Sequence, residues 1–403
     1  MRVATANMYD TTISQLMRRQ MEMQRTQIQL TSGKKVAAAS DDPTGAARVE
    51  RALASIGRVE ANQRALEASR NSMRLAESAL ADGSEILQQI RETLVAAGNA
   101  SYGDAERQGL AAKIEGLRNQ LLSIANRPDG SGGFVFSGQG ASQPPFLDEA
   151  GGVRFNGLPG TVITGNLDDF PLTVDGRLAW EEARSGNGFY LTGALPNAVT
   201  GGPARAWIDP GRVTDPALLT GDDYEVQING TAGLAQATIT NITTGAVTTV
   251  FPYELGKTIT LDGMAFTISG AVQDGDRFSI GAAQNDLKIF HVLDRAVEEL
   301  RTPGRSSQQI QQTNAFALRD LDQGFQNMQN VRSLVGEQLN LLDGSENRLA
   351  DLKLYNQSER SAAEDLDMTE AISRFQIQQT SYDAALRSYA AVQRLTLFQY
   401  LNF

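Results

Sequence analysis

Both ends of this 403-residue chain carry the same apolar spacing, in alternate steps of four and three residues. The first set is Tyr9, Ile13, Leu16, Gln20, Met23, Gln27 and Leu30, and the second is Met368, Ile372, Phe375, Gln379, Tyr382, Leu386 and Tyr389. This is the heptad spacing of helices that pack along one another, interrupted in each set by glutamine. Each terminal segment is therefore predicted to be an amphipathic helix whose apolar stripe packs against another helix, and we expect that helix to belong to another copy of the chain.

The two terminal segments are expected to be disordered in the free monomer. A lone amphipathic helix buries too few large side chains to offset the conformational entropy lost when its backbone is ordered. Such segments become ordered when they bind, so we expect their order to come from assembly.

The next segment contains the start signal of a long helix. Gly33 suits the left-handed conformation that ends a helix. Asp41, Asp42 and Pro43 follow, with Pro43 suited to the first helical position and Asp42 suited to cap it. The predicted helix has large residues every seven positions, namely Val59, Leu66, Met73, Leu80, Leu87 and Leu94. We interpret this stripe as the core face of a helical bundle.

The middle of the chain changes character at residue 131. Glycine becomes frequent, and β-branched runs alternate with turn pairs such as Asn229-Gly230 and Asp262-Gly263. Strands are predicted at Tyr224–Ile228, Ala237–Thr240, Val247–Phe251, Thr258–Leu261 and Ala265–Ile268. A helical period returns after Asp286 and continues, with one break at Pro303, to the end.

The order helices, sheet, helices predicts an α+β fold. We expect an elongated, coiled-coil-like helical rod built from both chain ends, with an antiparallel β domain inserted into it. The predicted divisions are terminal assembly helices at 1–42 and 366–403, a helical rod domain at 43–130 and 286–365, and a β domain at 131–285. Whether the β region forms one subdomain or two stays open.

Composition excludes several kinds of site. The chain has no cysteine and a single histidine, His291, so disulfides, thiolate nucleophiles and ordinary zinc sites are excluded. Residues 1–7 lack the apolar core of a secretory signal peptide, and no apolar run reaches the ~18 residues of a membrane span. Export, if it occurs, is expected by another route, without membrane insertion.

The net charge of −11 is uneven. Residues 131–285 hold 16 acidic and 7 basic side chains, whereas the rest of the chain is nearly balanced. An acidic middle repels nucleic acid, so no nucleic-acid partner is expected. No catalytic motif is present, and the adjacent carboxylates at Asp222-Asp223, Glu181-Glu182 and Glu298-Glu299 are typical of solvated surface. We therefore predict no enzymatic activity and no cofactor or metal.

The residues around the helix start resemble the signature of the flagellin superfamily. The N-terminal resemblance covers LTSGKKV from Leu30 and SDDPTGAA from Ser40, and the C-terminal one covers GEQLN from Gly336, ENRL from Glu346 and LDMTEAI from Leu366. The Asp-Asp-Pro form and the tail LTLFQYLNF are similar to the hook–filament junction proteins within that superfamily. The resemblance covers roughly the first 145 and last 115 residues.

The resemblance implies a structural component of the bacterial flagellum, exported unfolded through the flagellar type III channel to an extracellular site. It implies three kinds of partner: copies of the chain in a ring or helical assembly, a neighbouring hook-associated protein and flagellin, and an export chaperone. The residues predicted to form the assembly interface are Tyr9, Ile13, Leu16, Met23, Leu30, Ile372, Phe375, Tyr382, Leu386 and Tyr389. Those of the structural signature are Gly33, Asp41, Asp42 and Pro43.

Two alternatives stay open. The chain could be a flagellin, the filament subunit itself. It could also be a surface adhesin that presents its β domain on a helical stalk. An enzyme is the third option, and it is supported only by carboxylates of the kind found on most protein surfaces.

Overall fold

The computed structural model describes residues 2–99, 101–140, 143–165, 167–230, 235–250, 253–254 and 256–401. Within the terminal helices, side chains are described from residue 10 to residue 391. The helices are α1 (Arg2–Ser32), α2 (Pro43–Ala97), α3 (Asp104–Ala125), α4 (Gly176–Trp180), α5 (Ile289–Arg301), α6 (Ser307–Glu364) and α7 (Met368–Leu401). The predicted class, helices from both chain ends with an inserted antiparallel β region, is confirmed.

The strands lie between α3 and α5. They are β1 (Phe146–Glu149), β2 (Gly152–Phe155), β3 (Ile163–Thr164), β4 (Phe170–Pro171), β5 (Ala183–Arg184), β6 (Tyr190–Leu195), β7 (Ala206–Ile208), β8 (Arg212–Val213), β9 (Tyr224–Asn229), β10 (Gln236–Asn241), β11 (Val247–Val250), β12 (Thr258–Leu261), β13 (Met264–Gly270), β14 (Arg277–Ala282) and β15 (Asn285–Leu287). All their pairings are antiparallel.

The chain forms two compact units, one from residues 1–64 with 345–403 and the other from 65–344. The first unit contains α1 and α7 together with the start of α2 and the end of α6. Val59 of α2 and Leu349 of α6 are buried there, and Lys353 Nζ lies 3.1 Å from Glu60 Oε1.

The second unit contains an antiparallel pair formed by the rest of α2 and α6. Arg70 pairs with Asp343 at 3.1 Å, Arg332 with Glu77 at 2.6 Å and Arg91 with Asp322 at 2.7 Å. Along this pair the heptad residues of α2 from Leu66 to Leu94 are all buried. The seven-residue stripe is thus the core face of a bundle, as its spacing predicts.

Small residues let neighbouring elements approach α2. A Cβ placed on Gly83 would lie 3.1 Å from both Met328 Sδ and Trp180 Cη2. Glycine at this position therefore admits a large side chain from α6 and another from the β region.

The β region has two separate packing centres. The first is aromatic: the rings of Phe136 and Phe146 meet Trp180 edge-on at 5.6 and 6.3 Å, and Trp180 stacks on Phe290 of α5 at 5.9 Å. This centre fixes the first β segment against the helices.

The second centre lies between two sheets and extends from Tyr190 to Ile280. One sheet has the order β11-β10-β9-β14-β6, and the other has the order β12-β13-β7 with β8 also paired to β13. Alternate residues of β9 and β10, among them Val226, Ile228 and Ile239, point into the shared core. The inserted region thus has two packing centres within the second compact unit.

Candidate assembly site

Helices α1 and α7 are in contact, and they lie antiparallel to each other. At one point along the contact, Arg19 Nη1 donates a hydrogen bond to the carbonyl oxygen of Ser381 at 3.2 Å. Toward the other end, Lys34 and Asp365, which lie just beyond each helix, form an antiparallel β-bridge. Two helices that are far apart in sequence therefore form one hairpin-like pair.

The side of each helix that faces the other is called the inner face. On α1 it comprises the half-buried residues Leu16, Met23 and Leu30 with buried Thr26, and on α7 the half-buried Phe375, Tyr382 and Tyr389 with buried Ala371. Within one chain, the two heptad stripes therefore pack in part against each other.

A second set of apolar residues forms what we call the outer face. It contains three predicted interface residues: Ile13 is 38% exposed, Ile372 47% and Leu386 40%. On α1 it also contains Met17, Met21 and Ile28, each more than half exposed, which were not predicted from the sequence. Together with Ile13 they fall within roughly an 80° arc at 100° per residue, on a different side of the helix from Leu16 and Met23.

The ten predicted interface residues thus divide into two groups. Six lie on the inner face and three on the outer face, while the side chain of Tyr9 lies outside the described residues. The signal for the outer residues was present in the sequence as a second stripe in steps of four, but the stronger heptad stripe concealed it.

Two turns meet next to this helix pair, and we call the contact between them the clasp. It consists of Gly33, Lys34 and Lys35 after α1, and of Glu364, Asp365 and Leu366 before α7. The Lys35 N–H donates to the Glu364 carbonyl at 2.7 Å, and the Leu366 N–H donates to the Gly33 carbonyl at 3.0 Å. Lys34 Nζ forms an ion pair with Glu364. The clasp sets where α1 and α7 begin to run beside each other.

Gly33 is required by the geometry of this turn. Its backbone φ angle is +70°, a value that residues other than glycine rarely adopt. Its N–H donates a hydrogen bond to the Gln29 carbonyl at 2.9 Å. It therefore ends α1 and turns the chain so that its own carbonyl reaches Leu366.

Asp41 and Asp42 hold the chain between the clasp and α2. The Asp41 carboxylate accepts from the N–H groups of Ala37 and Ala38 at 3.2 and 3.0 Å and pairs with Arg25 at 3.0 Å. Asp42 caps α2, which begins at Pro43: its Oδ1 accepts from the Thr44 N–H at 3.0 Å. The N–H of Gly45, and then the hydroxyl of Thr44, lower the pKa of the Asp42 carboxyl.

A similar cap begins α7, where Asp367 Oδ1 accepts from the N–H groups of Thr369 and Glu370 at 2.9 and 3.1 Å. Both terminal connections are thus short turns ending in an aspartate cap. The first cap was predicted from the sequence, whereas the second was not.

In the second unit a polar groove surrounds Arg118 of α3, whose side chain is only 8% exposed. Its Nη2 donates to Asp148 Oδ1 at 2.8 Å and its Nε to Asp294 Oδ1 at 2.8 Å. The hydrogen bond from Arg118 lowers the pKa of Asp148, and the same bond, followed by that to Asp294, raises the pKa of Arg118. The three charges join α3, β1 and α5, so we interpret them as a structural clamp.

Within the described part of the chain, no group of three His, Cys, Asp or Glu side chains is placed to hold a metal ion. His291 lies on the exposed side of α5, beside the groove. No described helix has the length and apolar character needed to cross a membrane.

Comparisons with known proteins bear on this arrangement. Residues 3–141 match the family described as bacterial flagellin N-terminal helical region. The flagellar hook-associated protein 3 of Escherichia coli (strain K12) is 26% identical over 411 residues, covering 99% of each chain, and that of Salmonella typhimurium is 24% identical, also covering 99% of each. The crystal structure of flagellar hook-associated protein 3 from Legionella pneumophila is similar, with a TM-score of 0.69 and 26% identity over 77% of this chain and 97% of that one.

The chain thus resembles the flagellin superfamily and, over its whole length, the hook-associated protein 3 type within it.

A member of this type is a structural component of the bacterial flagellum. The part of the chain that matches the superfamily model contains α1, α2 and α3 with the first turn of the clasp between them. Gly33, Asp41, Asp42 and Pro43 lie within this matched part and form the connection between α1 and α2.

Proposed function

We propose that this flagellar structural protein connects hook to filament by packing the outer faces of its α1 and α7 against neighbouring subunits. The observation that carries the proposal is a second apolar face on α1, together with the exposed side chains of Ile372 and Leu386 on α7, in two helices that already contact each other. A helix pair needs one apolar side; a second is expected where the pair is buried in a larger bundle.

The proposal assigns different tasks to the two faces. The inner residues, such as Phe375 and Tyr382, hold α7 against α1, whereas the outer residues Ile13, Ile372 and Leu386 contact other subunits. Met17, Met21 and Ile28 join this second set. Large side chains at such a contact leave water when copies pack together, which favours assembly in proportion to the apolar area removed from water.

Charge supports self-association through the helical parts. Nine of the eleven net negative charges belong to residues 131–285, so the helical segments from the two ends of the chain are nearly neutral in sum. Copies can pack along such surfaces with little electrostatic repulsion, while the acidic β region favours contact with water.

Partners and location complete the proposed function. The neighbours are copies of the chain, another hook-associated protein and flagellin. The chain leaves the cell through the flagellar type III channel, with an export chaperone bound before export, and acts outside the cell. Its terminal helices are disordered before assembly. It needs no cofactor and carries out no catalytic step.

Immunogold labelling of intact flagella, with antibody against residues 140–280, tests the function. We expect a single band where hook meets filament. Label along the whole filament would identify a flagellin instead, and label absent from flagella would favour the adhesin. An in-frame deletion of 140–280 is the companion test: if motility survives while surface adhesion is lost, the β region is an adhesin.

A further inference from the structure

Asparagine followed by glycine reacts with water without an enzyme. The backbone nitrogen of the glycine attacks the side-chain carbonyl carbon of the asparagine, and glycine has no Cβ to hinder the approach. The chain contains three such pairs, Asn156-Gly157, Asn187-Gly188 and Asn229-Gly230. Because glycine follows the asparagine in all three, we expect their rates in the folded chain to depend on how the fold holds each pair.

Hydrogen bonds hold the pair at Asn187. The side-chain oxygen of Asn187 accepts from the N–H groups of Phe189 and Tyr190 at 3.1 and 3.0 Å. The N–H of Gly188, the group that would attack, donates to the Ser185 carbonyl at 3.3 Å. The amide carbon and the attacking nitrogen are therefore both restrained.

The pair at Asn229 is held in the same way. Its Nδ2 donates to the Thr238 hydroxyl at 3.1 Å, and its Oδ1 accepts from Gln227 Nε2 at 3.0 Å. The Gly230 N–H donates to Asp274 Oδ1 at 2.7 Å. Reaction at this pair also requires hydrogen bonds to break first.

The pair at Asn156, directly after β2, differs from the other two. Asn156 is exposed, and among the residues that the structure describes none forms a hydrogen bond with its side-chain amide or accepts one from the Gly157 N–H. Its backbone N–H does donate to the Pro145 carbonyl, at 2.7 Å. The main chain before the reacting groups is thus fixed, whereas the reacting groups themselves have no competing hydrogen bond.

We propose that Asn156 is a site of spontaneous deamidation. The Gly157 nitrogen forms a bond to the side-chain carbonyl carbon of Asn156, and the bond from that carbon to the amide nitrogen breaks. The proton of the Gly157 N–H leaves with the amide group as ammonia, which gives a cyclic imide. Water then opens the ring at one of its two carbonyls and leaves either aspartate or isoaspartate, in which the main chain runs through the former side-chain carbon.

The modification changes the chain at a restrained point. Isoaspartate lengthens the main chain by one carbon atom between Asn156 and Gly157. Hydrogen bonds fix the chain on both sides, from the Asn156 N–H to the Pro145 carbonyl at 2.7 Å and from the Gln139 N–H to the Leu158 carbonyl at 2.8 Å. The extra atom must therefore displace one of these contacts, and either product adds a negative charge to the acidic β region. None of this depends on assembly of the chain.

Peptide mapping by mass spectrometry tests the proposal on the folded, full-length protein. The protein is incubated at mildly alkaline pH, and conversion of each asparagine to acid is followed over time. Asn156 should convert at least roughly tenfold faster than Asn187 and Asn229, the internal controls, because their hydrogen bonds must break before attack. Asn156→Gln, whose reaction would need a larger ring, should abolish the fast gain of negative charge seen by isoelectric focusing.

Incubation in urea separates the effect of the fold from that of the sequence. Unfolding removes the hydrogen bonds at Asn187 and Asn229, so the three rates should converge. Conversion of Asn156 no faster than that of the two controls in the folded chain would overturn the proposal. A difference that persists unchanged in urea would overturn it as well, because the fold would then not be its cause.

Discussion

An aspartate in place of Leu386 is the most direct test of the outer face. Leu386 is 40% exposed, so the chain's own contacts already cover more than half of it. Complete burial of a leucine is worth about 1.5–3 kcal/mol, so covering the exposed remainder contributes about 0.6–1.2 kcal/mol to a contact between subunits. Leu386→Asp removes that contribution and adds the cost of a polar group buried without a partner, about 1–3 kcal/mol.

The sum is about 3 kcal/mol per contact, which corresponds to roughly a hundredfold rise in the protein concentration needed for assembly. Leu386→Ala loses only the apolar contribution and should raise that concentration by less than roughly tenfold. The graded order of wild type, alanine and aspartate is thus itself a prediction.

The assay is sedimentation of polymer across a series of protein concentrations, with circular dichroism and thermal unfolding to show that the Leu386→Asp chain stays a folded, soluble monomer. Ser388→Asp is the matched control, because Ser388 is exposed on the same helix but about 200° away from Leu386. If Leu386→Asp assembled at the wild-type concentration, or if Ser388→Asp failed equally, the assignment of the outer face would be wrong.

Two further predictions concern the clamp and the clasp. Arg118→Met should lower the free energy of unfolding of the second unit by about 2 kcal/mol in urea titration, because Asp148 and Asp294 lose their ion pair while staying partly solvated. Since Arg118 lowers the pKa of Asp148 in the folded state, this stabilisation is complete above the ordinary carboxyl pKa of about 4 and disappears as the pH falls through the lowered value. The loss of stability between pH 7 and pH 3 should accordingly be smaller in Asp148→Asn than in wild type, and equal losses would show that the pair contributes nothing. Gly33→Ala forces a side chain into a left-handed backbone at a cost of about 1–2 kcal/mol, so amide exchange at Leu366, measured by NMR, should speed up roughly tenfold. Asn tolerates that conformation, so Gly33→Asn should have a smaller effect, and unchanged exchange in both variants would contradict the role given to Gly33.

Local signals made much of the fold predictable. The seven-residue stripe from Val59 to Leu94, the proline at the start of α2 and the turn pairs of the β region each depend on neighbours within a few residues. Strands β9, β10 and β12 accordingly lie within a residue or two of their predicted bounds. The short strands from β1 to β8 were not predicted, because segments of two to six residues among frequent glycines carry no periodic pattern.

The N-terminal helix has two features that local signals did not predict. It begins at Arg2, seven residues before Tyr9, the first residue of its predicted apolar stripe, because no residue between them stops a helix. The sequence showed that α1 and α7 carry apolar stripes, yet it could not show that part of each stripe is used within the chain. Which face meets which depends on a contact between residues more than 300 positions apart.

By itself the sequence determined the helical ends, the cap of α2, the acidic β insertion and the resemblance to the superfamily, because residue spacing and backbone preference act locally. Only the tertiary structure decided which side of α7 keeps Leu386 exposed, that two turns join in a clasp, and that hydrogen bonds hold the Asn229-Gly230 pair but not Asn156-Gly157. Each of these depends on which distant residue is adjacent in space, as Asp274 is to Gly230, and burial and hydrogen bonding follow from that adjacency.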